Sequence, residues 1–268
     1  MSPPEFAPRV LGFLFNWCCY AAADAAGVAR YQYPPNIRVI RVMCSGRIDA
    51  SFPFEGMLAG ADGVFVGGCH LGDCHYQAGN YEAMGTIRLA WLLMEAASLD
   101  KRRLALEWAS AAEAPQFVEH VTRFTRGLIP LGPLGSSEGL EQPDLDLKLT
   151  AARNAARGRK LRLAFGNLAK KLRQENVLRP DEIEARLRAE LAELVRSEVA
   201  RAEILLRCGA GPATAAELAK AVGLEVAAAE EILSTLAKRN RLIQEGGLWR
   251  LAIAKPEEPA AVAAPAAS

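Results

Sequence analysis

The chain has 268 residues, of which 51% are apolar and 24% charged, a globular composition that sustains a sizeable core in one large or two modest domains. A net charge of +1 removes any global electrostatic case for nucleic acid or a membrane surface. The opening MSPPEFAPRVLGFLFN lacks a basic stretch followed by a long apolar one, and no apolar run approaches about 18 residues. The expectation is therefore a soluble, cytoplasmic protein with neither a secretory signal nor a membrane span.

In chain order, short apolar runs at Val10–Phe15, 37–43, 63–66 and Leu104–Trp108 read as buried strands. Helical patterns at 20–30, 54–61, 78–98 and Ala114–Leu128 alternate with them. Strand alternating with helix predicts an α/β fold, a parallel flavodoxin-like sheet with helices on both faces. Pro130, Gly132, Pro133 and Gly135 open a break that runs to Pro143, which places a domain boundary after residue 130.

The second half is rich in Ala, Leu, Arg and Glu and favours helix. Leu161, Phe165, Leu168 and Leu172 recur at helical spacing. Nine basic and no acidic residues lie between Lys148 and Arg173, whereas acidic residues dominate from Asp181 to Glu198. This predicts a linker and charged helical hairpin over 131–194. A winged-helix-like module is expected over 195–254. In it Thr214 and Glu217 form a capping box, Gly223 ends a helix, and Gly246–Gly247 turn a hairpin. An Ala/Pro/Glu-rich disordered tail is expected over 255–268.

Five of the six cysteines, Cys18, Cys19, Cys44, Cys69 and Cys74, fall within the first 74 residues, and only Cys208 lies elsewhere. Cytosolic cysteines stay reduced, so a cluster of them points to metal binding or redox work rather than disulfides. Cys18, Cys44 and Cys69 each follow a predicted strand. In an open parallel sheet they share the edge beyond the carboxyl ends, with Cys74 five residues farther along the same rim. Thiolate ligation suits iron–sulfur clusters or zinc. One C-x4-C pair with two distant single cysteines leans away from the paired CxxC spacing of structural zinc. Small buried thiols, and a nucleophilic thiol served by His70 or His75, are the competing readings.

Longer strings carry a resemblance. Asn16-Trp17-Cys18, residues 31–36 (YQYPPN), residues 41–47 (RVMCSGR), residues 68–76 (GCHLGDCHY), Gly79-Asn80-Tyr81 and residues 108–111 (WASA) are similar to the delta subunit of methyl-viologen-reducing hydrogenase, an iron–sulfur protein associated with heterodisulfide reductase. The resemblance covers roughly residues 8–130. It implies a [2Fe-2S] cluster and a relay of electrons from a hydrogenase, formate dehydrogenase or similar donor to a flavin-containing heterodisulfide reductase-like subunit. Cys18, Cys44, Cys69 and Cys74 are the expected ligands, because they suffice for a four-thiolate cluster. Family members commonly carry a further cysteine where this chain has Phe15, and here Cys19 stands beside Cys18, so Cys19 is a possible substitute ligand.

Around those cysteines, His70 and His75 read as hydrogen-bond donors or charge-tuning groups rather than a Rieske-type ligand pair, which needs both histidines on one iron. Arg41 and Arg47 flank Cys44 and could offset cluster charge. The run from Lys148 to Arg173 reads as a docking surface within a complex. A rival reading is a redox-sensing transcription regulator using the C-terminal module. Glu230 and Glu231, near the start of its would-be recognition helix, argue against nucleic acid.

Overall fold

The structure, a computed structural model, describes residues 6–252. The tail expected over 255–268, and residues 253 and 254 of the C-terminal module, lie outside the described residues. Each apolar run of the first half forms a strand: β1 (Val10–Phe15), β2 (Ile37–Val42), β3 (Gly63–Gly68) and β4 (Leu104–Trp108). All pairings are parallel, in the order β2-β1-β3-β4. Helices α1 (Cys19–Val28), α2 (Phe52–Leu58), α3 (Gly79–Ala96) and α4 (Ala114–Leu128) alternate with the strands. The chain steps from β1 outward to β2, then crosses back to β3 on the other side of β1. That reversal opens a crevice at the carboxyl ends of β1 and β3.

β3 runs two residues beyond its apolar core because Gly67 and Gly68 still pair, with Glu107 and Trp108. Glycine is required at both positions. A Cβ on Gly67 would lie 2.9 Å from Cys19 Sγ, and one on Gly68 would lie 2.6 Å from the Trp108 ring. Val10 and Leu14 of β1 pack with Cys19, Ala22 and Ala26 of α1 and with Phe117, Val121 and Leu128 of α4 on one face of the sheet. On the other face Phe13 stacks on Phe52 of α2 at 5.8 Å, and Gly56 lets α2 close onto Leu11 and Val64. Each fully buried Leu or Phe contributes about 1.5–3 kcal/mol of transfer free energy.

Helices α5 (Asp144–Arg157), α6 (Arg159–Gln174) and α7 (Pro180–Ala210) follow. The ion pairs Lys160–Glu198 (3.3 Å), Lys171–Glu190 (3.7 Å) and Glu175–Arg186 (3.0 Å) run in opposite sequence directions, so α6 and α7 form an antiparallel hairpin. The basic run does not stand free. Arg153 and Arg157 pair with Glu55, Arg162 with Asp49, Arg173 with Glu82, and Lys148 with the buried Glu203 at 3.3 Å. Seven of its nine cations thus meet carboxylates of the same chain, which fixes helix placement more than it adds stability, since exposed pairs contribute about 0–1 kcal/mol each.

The described residues divide into two compact units with the boundary between Glu203 and Ile204, and the last turns of α7 belong to the second. The second unit continues through α8 (Ala215–Val222), α9 (Val226–Lys238) and the antiparallel hairpin of β5 (Leu242–Glu245) and β6 (Leu248–Leu251). Its core holds Ile204, Cys208, Leu218, Leu233, Leu236, Leu242 and Trp249. The Thr214 hydroxyl accepts from Glu217 N at 3.2 Å and the Glu217 carboxylate accepts from Thr214 N at 2.8 Å, the capping box that the spacing predicts. Gly246 and Gly247, at φ 57° and 81°, supply the left-handed pair a two-residue hairpin turn needs. No helix among the described residues is long and apolar enough to cross a membrane.

One fully buried cation holds the Gly/Pro segment after α4. Arg103 donates to Glu138 at 2.6 and 3.0 Å, to Ser137, and to the carbonyls of Asp62, Leu131, Gly132 and Pro133. Both partners of the ion pair are sealed, at 0% and 1% side-chain exposure. Burial alone would raise the Glu138 carboxyl, but the Arg103 guanidinium outweighs it and holds it below the ordinary value. Its contribution is therefore present at neutral pH and lost as pH falls through that depressed pKa. Glu138→Leu should leave Arg103 buried without its counter-ion and cost about 3–5 kcal/mol in denaturant unfolding. A loss under about 1 kcal/mol would show that the carbonyl cage suffices.

Candidate metal centre

The site is assembled from the loops that leave the strands. Asn16 N donates to Val42 O at 2.9 Å, which ties the ends of β1 and β2 together. Cys18 caps α1, its carbonyl accepting from Ala22 N at 2.8 Å. Cys44 caps a short turn over Ser45–Arg47. Cys69 follows β3 directly, and Cys74 lies on the loop that leads into α3. The sheet edge thus gathers the four cysteines dispersed over residues 18–74.

An aromatic clasp fixes the loop carrying Cys74. The His75 ring stacks on Trp17 at 4.9 Å, Trp17 Nε1 donates to Tyr76 Oη at 3.3 Å, and Tyr76 meets buried Phe15 edge-on at 6.2 Å. A second tie holds the Cys69 side. His70 Nε2 is 2.6 Å from Glu113 Oε2, which also accepts from Ser110 N at 2.7 Å, and Asn80 Nδ2 donates to His70 O at 2.6 Å. Those contacts, the Ser110 amide first, lower the Glu113 carboxyl to about 2. The His70 ring is thus committed to Glu113, while the His75 ring packs between Trp17 and Tyr76.

Cys18 and Cys69 lie near enough to shift one another's ionisation, as do Cys44 and Cys74, and no disulfide joins them. Among the described residues no three Cys, His, Asp or Glu side chains close around a single ion. Burial raises the thiol pKa of Cys18, Cys44 and Cys69. Backbone amides oppose it, the Gly46 N–H at Cys44 and the His75 N–H at Cys69. Gathered thiolates here need cationic charge among them. Arg47 lowers the Cys44 thiol, whereas Arg41 turns to Asn16 and lies 4.7 Å over the Tyr20 ring.

Two features fit a group larger than the side chains themselves. Gly79 forms the floor of one pair: a Cβ there would collide with Cys44 Sγ and sit 3.3 Å from Cys74 Sγ. Ser45 Oγ is buried and has no hydrogen-bond partner among the described residues. Neither signal is legible in the sequence alone. Cys19 is turned the other way, into the core, where its thiol donates to Gly68 O at 3.3 Å and Ala109 O at 3.7 Å and burial pushes it up to about 12.

A family model described as the delta subunit of methyl-viologen-reducing hydrogenase matches residues 10–132. The iron–sulfur subunit of an F420-non-reducing hydrogenase from Archaeoglobus profundus is 46% identical over 129 residues, 48% of this chain and 94% of that protein. The vhc iron–sulfur subunit of the corresponding hydrogenase from Methanococcus voltae is 52% identical over 113 residues, 42% of this chain and 78% of its own length. One subunit of the ferredoxin:CoB-CoM heterodisulfide reductase of Methanosarcina mazei is 46% identical over 129 residues, 48% of this chain but 16% of that protein.

The burial pattern sets an order of thiol reactivity in the metal-free chain. Alkylation at mildly alkaline pH should modify the half-exposed Cys18, Cys44 and Cys74 and spare Cys19, Cys69 and Cys208 until the chain unfolds. Cys208, raised by burial to about 11, stays a thiol until pH nears that value. Peptide mass spectrometry reads the order, and early labelling of Cys19 would contradict the geometry.

Proposed function

Because the chain belongs to the family of the methyl-viologen-reducing hydrogenase delta subunit, we propose that it is a non-catalytic electron-transfer subunit. In this reading Cys18, Cys44, Cys69 and Cys74 hold a [2Fe-2S] cluster. The observation that carries the proposal is the pairing of the thiols. A four-cysteine two-iron cluster takes two protein sulfurs per iron, and Cys18/Cys69 and Cys44/Cys74 offer one pair to each. Bound there, the cluster supplies one-electron acceptance and release. The chain's own residues do the rest. Gly79 leaves room beside two of the sulfurs, Ser45 brings an uncommitted hydroxyl donor, and the Gly46 and His75 amides stabilise thiolate charge. The core-facing thiol of Cys19 favours Cys18 as the ligand of that pair.

The names of the relatives support the role. Similar stretches occur as a separate hydrogenase iron–sulfur subunit and as part of a larger heterodisulfide reductase chain. We read residues 1–130 as a cytoplasmic relay between a donor hydrogenase, formate dehydrogenase or similar enzyme and a flavin-containing heterodisulfide reductase-like subunit. Residues 131–194 and the winged-helix-like 195–254 then serve assembly. A redox-sensing transcription regulator is less well supported. Glu225, Glu230 and Glu231 are exposed along α9 and would repel phosphate, and the hairpin cation Arg250 is paired with Glu245 at 2.8 Å.

Anaerobically purified chain should carry about two irons and two sulfides and turn over no metabolite alone. Cys18→Ser, Cys44→Ser, Cys69→Ser or Cys74→Ser should lose or distort the cluster, whereas Cys19→Ser and Cys208→Ser should keep its spectrum. Gly79→Ala should keep the fold, since α3 tolerates alanine, and lower iron content. A complex lacking the cluster should retain each partner's partial reaction and lose transfer between them. Stoichiometric zinc without iron, or full activity after cluster loss, would overturn the reading.

A further inference from the structure

Exposed large apolar side chains gather on one strip of the first unit. Val28, Tyr31, Val39, Ile40 and Met43 lie along the end of α1, the following loop and β2. Among the described residues β2 pairs with β1 alone, so its outer edge is bare. Arg38 to Arg41 are exposed on both faces of the strand, with Val39 at 41% and Ile40 at 46%. Strands of an all-parallel sheet are ordinarily covered on both faces. Edges are ordinarily guarded against pairing with another chain.

The charge of the strip has one sign. Arg38 donates to its neighbour's carbonyl, Pro35 O, at 3.2 Å, and Arg41 to Asn16 Oδ1, and neither meets a carboxylate among the described residues. This contrasts with the run from Lys148 to Arg173, where seven of nine cations are neutralised. Alternation along the strand puts Val39 with Arg41 on one face and Arg38 with Ile40 on the other. Each face therefore offers one apolar and one cationic side chain.

We propose that β2 is a docking edge for a partner protein, which adds a strand of the pattern acidic–apolar–apolar–acidic against Arg38-Val39-Ile40-Arg41. Main-chain hydrogen bonds would extend the sheet, and cross-strand pairs would set which chain is accepted. A second copy of this chain is the wrong occupant. Self-pairing of β2 would bring four arginines to one seam, and the strand, Ile-Arg-Val-Ile-Arg-Val, carries no carboxylate to meet them. The inference deepens the electron-transfer reading, because the strip ends at exposed Met43 beside Cys44 and so leads the added strand to the thiols.

The test uses the full chain, alone and in the complex purified anaerobically from its source cells. Hydrogen exchange should slow by at least about tenfold at the outward amides of residues 37–42 in the complex relative to the free chain. Arg38→Glu with Arg41→Glu should lower partner recovery by at least about tenfold and remove the salt sensitivity of assembly. These changes should leave thermal unfolding and visible absorbance as in the unaltered chain. Cross-linking should locate the acidic–apolar pattern on the partner. Equal exchange in both states, undiminished partner recovery by the variant, self-association through β2, or recovery of the chain alone would overturn the proposal. Iron analysis of the same samples separates the two readings. Missing iron with a protected β2 sinks the relay alone, and normal iron with an unprotected β2 sinks the docking edge alone.

Discussion

Because β1, β2 and β3 run parallel, their carboxyl ends meet at one edge of the sheet, and Cys18, Cys44 and Cys69 meet there with them. No local segment could bring these residues together, since they are separated by 26 and 25 positions in the sequence. The strand order reverses at β1 and β3, so the helices that follow leave the edge open instead of covering it. Everything else at the site adjusts that gathering: the clasp of Trp17 and His75, the His70–Glu113 tie, and the missing side chain at Gly79.

The same gathering has an electrostatic consequence. Partly buried thiols disfavour ionisation, and several thiolates side by side disfavour it further. The chain answers with dipoles more than with full charges. Backbone amides reach two of the sulfurs, Arg47 alone among the flanking arginines lowers a thiol, and Arg41 is committed to Asn16 and Tyr20. In the proposed reading these residues would hold cationic iron, and the fixed N–H groups would stabilise the added electron. Arg38, which meets no carboxylate among the described residues, lies farther out on β2, where a partner can meet it.

Much of this was legible in the sequence, and the failures have physical causes. Apolar runs marked the four strands, and the strand–cysteine order alone placed the thiols on one rim. The continuation of β3 through Gly67 and Gly68 was not legible, because glycine reads as a loop and the reason for it, the Trp108 ring, lies forty residues away. Gly79 stood in the sequence only as part of a family-like string, and its place beside the Cys44 and Cys74 sulfurs was not legible. Arg103 escaped because four of its acceptors are backbone carbonyls, which leave no mark in side-chain pattern. The basic stretch from Lys148 to Arg173 looked like a docking face because its counter-charges sit on α2, α3, α7 and the loop before α2. Sequence spacing does not bring those elements together; tertiary packing does.

The central claim is that two thiol pairs hold two irons. Iron X-ray absorption on the anaerobically isolated chain tests it most directly, since it reports the atoms around iron without relying on a partner or on turnover. The account predicts a first shell of sulfur alone, with a single iron–iron vector at the short spacing of a sulfide-bridged pair. A shell containing nitrogen, or iron with no iron neighbour, would contradict it.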